Sequence, residues 1–267
     1  MSTTIRAVAD SRLPAPPTNH KAHAAATRTT AQDISLRQAA LVAALALLVL
    51  AVLAPIANFG ILHKLIVAGD AQTTAQNLAA APGQFRIGIA LFFLVAILDV
   101  VVAWGLYLFF QPVNRSLSLL AALFRVVYAT MLGIALTNLL SALQLFGAAD
   151  SLKAFGADRL QAQMMVLLGA FQSAWDLSLI IFGLHLFILG MLVFGSGKRL
   201  TRFLGILVIA AGVGYLVDGW GTLLVPNYSL TVGMYTFVGE ALLILWLFWK
   251  AITGADASNQ RHAEINE

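Results

Sequence analysis

The sequence contains no cysteine. This absence excludes disulfide bonds, thiolate metal sites and cysteine nucleophiles, and it leaves the redox compartment open. Charged residues are also scarce, at 10% of the 267 residues, against about 25% in a soluble globular domain. Hydrophobic residues make up 60% and form continuous runs, without the solvated positions that recur every few residues in a water-soluble helix. The composition therefore predicts a protein embedded in lipid.

Six apolar segments each reach the length of about 20 residues that a membrane-spanning helix requires. They lie near 38–60, 87–110, 117–143, 163–194, 203–225 and 230–250. Backbone amides and carbonyls cannot stay unpaired in hydrocarbon, and the segments lack the alternation of a membrane β-barrel strand. We therefore predict an all-α fold, an integral membrane bundle of six transmembrane helices.

The chain is predicted to have three parts. Residues 1–36 are rich in Ser, Thr, Ala and Pro without apolar periodicity, which predicts a disordered cytoplasmic tail. Residues 37–252 form the transmembrane domain, and 253–267 form a short cytoplasmic tail. A cleaved secretion signal would carry its apolar region nearer the start, so the first span is expected to remain as an anchor.

Two connections are expected to contain short helices at the outer surface. In the first connection, Asp70 is a candidate N-cap before an Ala-rich run that Pro82 and Gly83 would end. The third connection, with the sequence ADSLKAFGADRLQAQ, has a similar size and polarity. Simple spacers are the alternative for both.

The distribution of basic residues predicts the orientation. With the N-terminus in the cytoplasm, eleven of the 16 lysines and arginines lie on the cytoplasmic side, four lie on the other side, and Arg125 lies within a span. This excess favours both termini inside. Because the net charge of +4 sits beside membrane segments, nucleic acid is not expected as a partner.

Three separated segments resemble a known family. They are GDAQTTAQN before FRIG, FFQPVNRSLSLLAALFRVVY, and GLHLFILGMLVFGSGKRLTRFLGILVIAAGVGYLVD. Together they resemble the domain of unknown function 4386 family of uncharacterised bacterial membrane proteins, over about residues 38–250. The resemblance implies a multi-pass protein of unassigned activity, which we expect in the bacterial cytoplasmic (inner) membrane, and it supplies no catalytic residues.

Six ionisable residues fall inside the predicted spans: Asp99, Arg125, Asp176, His185, Asp218 and Glu240. A charge at the bilayer centre costs about 2.5 to 3.5 kcal/mol on insertion scales, so these residues should face the bundle interior. Counted along their helices, the first two and His185 form an inner layer near the cytoplasmic side. The remaining three form a looser outer layer.

Asp99 and Arg125 are candidates for a buried ion pair. They lie on consecutive spans joined by the short QPVNRS turn, so antiparallel packing would bring them together. The arginine stays charged, and its planar fork suits a carboxylate. The alternative is that Arg125 extends toward the interface without a partner.

The fourth and fifth spans carry glycines at intervals of seven residues. In the fourth, one stripe holds Gly169, Asp176, Gly183 and Gly190, while Ser178 and His185 share the opposite stripe; in the fifth, the stripe holds Gly205, Gly212 and Gly219. Small residues let helix backbones approach closely. The fourth span is therefore expected to be central, with protein on two sides.

Asp176, Asp218 and Glu240 are the candidate proton or cation sites. Four buried acids, counting Asp99, face one certain cation, so at least two of them should be neutral near pH 7 unless water reaches them. Such acids are typical of coupled transport. A static network of protonated acids is the alternative.

His185, with Ser178, is a candidate polar relay or packing group. No second histidine lies within a predicted span, so we expect no bis-histidine haem site, and we predict no cofactor and no metal.

The sequence contains no HExxH, GxGD or GxSxG motif, so an enzyme is not expected, although an unfamiliar lipid-directed site stays open. The working hypothesis is a proton- or cation-linked transporter of a small solute, with the lipid bilayer and a small solute or cation as partners. The alternative is a non-transporting scaffold or sensor that binds a protein or a lipid. The oligomeric state is undetermined.

Overall fold

The computed structural model describes residues 34–147 and 156–253. Within these ranges the chain is helical, and six helices are long and apolar enough to cross a membrane. The predicted all-α bundle of six spanning helices is thereby confirmed. Of the tails expected at 1–36 and 253–267, residues 1–33 and 254–267 lie outside the described residues.

The helices are longer than the apolar windows that predict them. We number them α1 (Leu36–Leu65), α2 (Ala71–Ala80), α3 (Pro82–Phe110), α4 (Arg115–Gly147), α5 (Ala157–Gly195), α6 (Arg199–Leu224), α7 (Val232–Thr236) and α8 (Val238–Thr253). The sixth span combines α7 and α8. We call the end of the bundle at which α3 joins α4 the proximal end, and the opposite end the distal end.

Local signals explain where the helices begin. Ser35 caps α1, since its hydroxyl accepts a hydrogen bond from the backbone N–H of Gln38 while the Gln38 side chain accepts one from the Ser35 amide. Asp70 caps α2 by accepting from the amide of Thr73 at 2.8 Å. Pro82 occupies the first turn of α3, where no backbone donor is needed.

The two expected surface helices differ in outcome. The first connection contains α2, capped by Asp70 as predicted. In the third connection, the chain is already in α5 from Ala157 onward. The remainder of that connection, 148–155, lies outside the described residues.

The spanning helices form a ring in chain order. Each one packs against its neighbours in sequence, and α8 closes the ring against α1. The Arg37 side chain donates a hydrogen bond to the Ala251 carbonyl at 2.5 Å, which ties the two ends of the domain together. Side chains that point into this ring share one enclosed interior.

The predicted glycine seam joins α5 to α6. A Cβ added at Gly183 would lie 2.8 Å from the Gly212 carbonyl oxygen, and one added at Gly190 would lie 2.8 Å from the Gly205 carbonyl oxygen. Real side chains would force the backbones apart. The other face of α5 packs against α4, so the predicted contact with protein on two sides is confirmed, but in a ring the helix is not central.

Candidate functional site

Asp99 and Arg125 meet inside the ring. The Arg125 Nη2 atom lies 2.6 Å from Asp99 Oδ1, and both side chains are almost completely buried. The short turn between α3 and α4 sets this contact, since it makes the two helices antiparallel neighbours. Burial at the middle of a span excludes the alternative in which Arg125 extends to the interface.

His185 completes a three-residue polar cluster with Asp99 and Arg125. Arg125 Nη1 lies 3.1 Å from His185 Nε2, and His185 Nδ1 lies 2.8 Å from the carbonyl oxygen of Ala121. Guanidinium nitrogens only donate, so Nε2 must accept, and Nδ1 must carry the proton that it donates to Ala121. His185 is therefore a neutral imidazole with both nitrogens occupied, and in this arrangement it offers no free nitrogen to a metal.

Aromatic side chains enclose the cluster on its distal side. The Arg125 guanidinium lies 5.4 Å from the centre of the Phe182 ring, within cation–π range. Phe182 contacts Tyr128 and Tyr215, with ring centres 4.8 and 5.3 Å apart. The rings exclude water from the guanidinium while leaving its Nε without a hydrogen-bond partner among the described residues.

Glu240 is a fourth member of the same interior. It lies beside Tyr215 and within electrostatic reach of Arg125 and Asp99. The residue as a whole is half-buried, but its Oε1 atom is fully enclosed and has no hydrogen-bond partner among the described residues. The interior thus contains one compensated ion pair and one additional acid.

The depth expected for Glu240 was wrong. Counted at about 1.5 Å per residue from the proximal helix ends, Asp99, Arg125, His185 and Glu240 all lie roughly 15–20 Å deep. The sixth span, with 22 residues, is shorter than the other five, so a residue in its distal half still lies at the depth of the cluster. Glu240 therefore joins the inner layer.

Asp176 and Asp218 lie elsewhere. Asp176 is partly exposed and accepts a hydrogen bond from the Gln172 amide at 2.9 Å, within α5. Asp218 Oδ1 accepts from the Tyr228 hydroxyl at 2.8 Å, and its two oxygens accept from the backbone amides of Val232 and Gly233 at 2.9 and 2.7 Å. Asp218 thus caps the first turn of α7 from another helix, and the three candidate acids share no common pocket.

Ser178 is fully buried, but its hydroxyl donates to the Trp175 carbonyl of its own helix at 2.6 Å. It therefore does not extend the polar cluster.

Tyr128, Tyr215 and Trp175 were missed as site residues. Tyr215 lies one turn before Asp218, and periodicity along α6 would have placed it on the inner face.

The fold and this site define a multi-pass helical membrane protein whose charged groups are gathered in its interior. Among the described residues, no group of three or more acidic or histidine side chains is arranged to hold a metal ion.

The chain belongs to the family described as domain of unknown function (DUF4386), which matches residues 42–251. It is also similar to an uncharacterized protein of Archaeoglobus fulgidus, with 38% identity over 158 residues, 59% of this chain and 80% of that protein. No solved structure matches the chain. These comparisons support the resemblance seen in the sequence.

Proposed function

We propose that this protein is a proton-linked transporter of a small solute, with Glu240 as the group that gains and loses the proton. The observation that carries the proposal is the enclosed Oε1 atom of Glu240, which lacks a hydrogen-bond partner among the described residues although it lies near a buried arginine.

Charge balance supports Glu240 over the other acids. Asp99 and Arg125 neutralise one another, and His185 is neutral, so an ionised Glu240 would leave a net negative charge in a closed interior. An uncompensated buried charge is costly, which favours the protonated acid while the interior is closed. Entry of water would allow it to ionise, and opening of the bundle would thereby be coupled to proton release.

A proton suits this environment better than a metal cation. Hard cations such as calcium take about six to eight oxygen ligands. The groups near Glu240 are instead Tyr215, the Arg125 guanidinium and the Asp99 carboxylate, which is already paired with Arg125, and they are too few to supply such a shell. Asp176 is hydrogen-bonded to Gln172, and Asp218 is hydrogen-bonded to the backbone amides at the start of α7. We therefore propose Glu240, rather than either of these acids, as the group that carries the proton.

Reconstituted vesicles test the proposal. Solute-driven currents are measured across a chemical panel of small solutes, at several pH values, for the wild type, Glu240→Gln and Asp176→Asn. We expect a current whose pH dependence is lost in Glu240→Gln, because glutamine keeps the shape and cannot exchange a proton. The Asp176→Asn variant should keep most of it.

Two results would contradict this. One is a wild-type protein that shows no current with any solute of the panel, which would favour a scaffold or sensor. The other is a Glu240→Gln variant with the full current and the same pH dependence, which would remove Glu240 from the mechanism.

The proposed location is the cytoplasmic membrane, with both termini inside. The excess of lysine and arginine at the proximal end supports it. Because the chain has no cysteine, single variants Ser196→Cys and Asn227→Cys report the two ends without background. In intact cells an impermeant maleimide should label Asn227→Cys only, and labelling of Ser196→Cys alone would reverse the orientation.

A further inference from the structure

A cleft opens between α1 and α5 at the distal end, apart from the buried polar cluster. Its volume is about 410 Å³, within the range of about 300–1,000 Å³ that is usual for small-molecule sites. Most of its apolar wall is formed by Leu62 of α1, by Ile66 just after α1, and by Met165, Leu168 and Phe171 of α5.

Two departures from regular packing create the cleft. Pro55 lies inside α1 and supplies no backbone donor, and the next residues, Ile56–Leu62, form a π-helix. Such segments occur often at functional sites. Opposite them, Gly169 continues the glycine stripe of α5, but no atom of the described residues lies within 4 Å of the position that its Cβ would take.

Hydrogen bonds to α2 hold the rim in place. The backbone amide of Val67 donates to Thr74 Oγ1 at 2.9 Å, and the Asn77 side chain donates to the Leu65 carbonyl at 3.3 Å. Thr74 is fully buried. The chain that leaves α1 is therefore tied to a helix rather than free to fold into the cleft.

Three side chains give the cleft its polarity: Asn58, His63 and Gln172. The Gln172 amide nitrogen donates to Asp176 Oδ1 at 2.9 Å, which orients the amide and leaves its carbonyl oxygen as an acceptor. Among the residues that the structure describes, no acidic, lysine or arginine side chain lines the cleft. A charged ligand would therefore lack a direct counter-charge in the cleft. A ligand with an apolar body and a hydrogen-bonding group would match both the apolar and the polar side chains.

Aromatic contacts lead from the cleft toward Glu240. Phe171 contacts Trp175 with ring centres 5.8 Å apart, and Trp175 lies beside Tyr128. Tyr128 contacts Phe182, which contacts Tyr215 beside Glu240. A continuous series of contacting aromatic side chains thus connects the cleft to the proposed proton site.

We propose that this cleft binds a small uncharged amphipathic molecule, with an apolar body and a hydroxyl or amide group, as the solute that enters from the distal side. The assignment of this molecule as a transported solute rests on the proposed function. The binding site itself stands on the geometry of the cleft.

Photolabelling tests the site without any measurement of transport. The full-length protein in lipid nanodiscs is irradiated with an octanol that carries a diazirine, with and without excess unlabelled octanol, and the labelled residues are found by mass spectrometry. We expect saturable labelling at His63, Met165 and Gln172, which the excess octanol suppresses. Lipid-facing positions should show labelling that is not saturable.

Matched variants locate the binding. Gly169→Phe should fill the cleft and reduce the saturable labelling by about tenfold or more, whereas Gly133→Phe, at another helical glycine with open space around it, should leave it unchanged. Gln172→Leu should weaken binding by about fivefold to tenfold through the loss of one hydrogen bond, and the exposed Gln163→Leu on the same helix should not. Thermal unfolding of each variant checks that the fold is intact.

The proposal is overturned if labelling at the cleft does not saturate, or if Gly169→Phe and Gly133→Phe behave alike. Saturable labelling together with an unchanged current in Glu240→Gln would retain the site and reject the transport mechanism. Absence of saturable labelling together with a Glu240-dependent current would reject the binding site and retain the transport mechanism.

Discussion

The same glycine stripe of α5 does two different things along its length. At Gly183 and Gly190 it meets the glycines of α6 and closes the helices against one another, whereas at Gly169 it lines a cleft. We call the part with Gly183 and Gly190, together with the Asp99, Arg125 and His185 cluster, the closed region. We call the part around Gly169 the open region. At Gly183 and Gly190 the partner helix also presents a glycine and the backbones meet, whereas at Gly169 no neighbouring helix among the described residues approaches and the stripe leaves space.

Breaking the ion pair should cause the largest loss in the closed region. Arg125→Met leaves Asp99 buried without a counter-charge and removes the donor to His185. We expect the free energy of unfolding to fall by about 3–5 kcal/mol. Unfolding titrations in mixed detergent micelles measure the change.

The double variant Asp99→Leu with Arg125→Met is the control. It removes both charges, so it should recover most of the stability that the single change loses. Equal stability of the wild type and Arg125→Met would mean that the pair carries little energy, and the closed region would then depend on packing alone.

Substitution of the glycines compares the two regions directly. Gly212→Leu places a side chain against the backbone of α5, and we expect a loss of about 1–3 kcal/mol or more. Gly169→Leu extends into open space and should leave the free energy of unfolding unchanged or slightly higher, because glycine is a poor helix former. Similar losses for both substitutions would show that the stripe is uniform.

A smaller effect is expected at the distal end of α6. Asp218→Asn keeps the size of the side chain but replaces one of the two oxygens that accept hydrogen bonds. We expect a loss of about 0.5–2 kcal/mol, as for a helix cap, and faster hydrogen exchange at Val232 and Gly233. Unchanged exchange at these two amides would contradict the capping role.

The smallest effect concerns Tyr228, which lies outside the spans. Partial desolvation, followed by its hydrogen bond to Asp218, raises the pKa of this phenol above its ordinary value of 10.0. The stabilising contribution is therefore fully present below pH 10 and is lost as the pH rises through the folded-state pKa. Tyrosinate absorbance is recorded against pH for the wild type and for Tyr228→Phe, and the difference gives the titration of Tyr228. This phenol should ionise at a higher pH than an ordinary tyrosine, and ionisation at a lower pH would contradict the contact.

The sequence was sufficient for the six spans, the Asp99–Arg125 contact and the glycine seam, because each depends on regular periodicity or on a short antiparallel turn. It was insufficient for Glu240, whose depth depends on how the chain folds at 225–237. It also placed His63 outside the first span, although the helix continues beyond the π-helical segment to Leu65. Pro55 was a visible signal of irregularity, but the shape of the cleft depends on helices distant in sequence.

The most direct test of the account is the protonation state of Glu240. Infrared difference spectra of the protein in lipid, recorded on a change of pH, resolve the carbonyl stretch of a protonated carboxylic acid. The account predicts such a band in the wild type and its loss in Glu240→Gln, with the Asp176→Asn spectrum unaltered at that band. A band that persists in Glu240→Gln, or its absence from the wild type at every pH at which the fold is intact, would contradict the claim that a lone acid in the ring interior carries the proton.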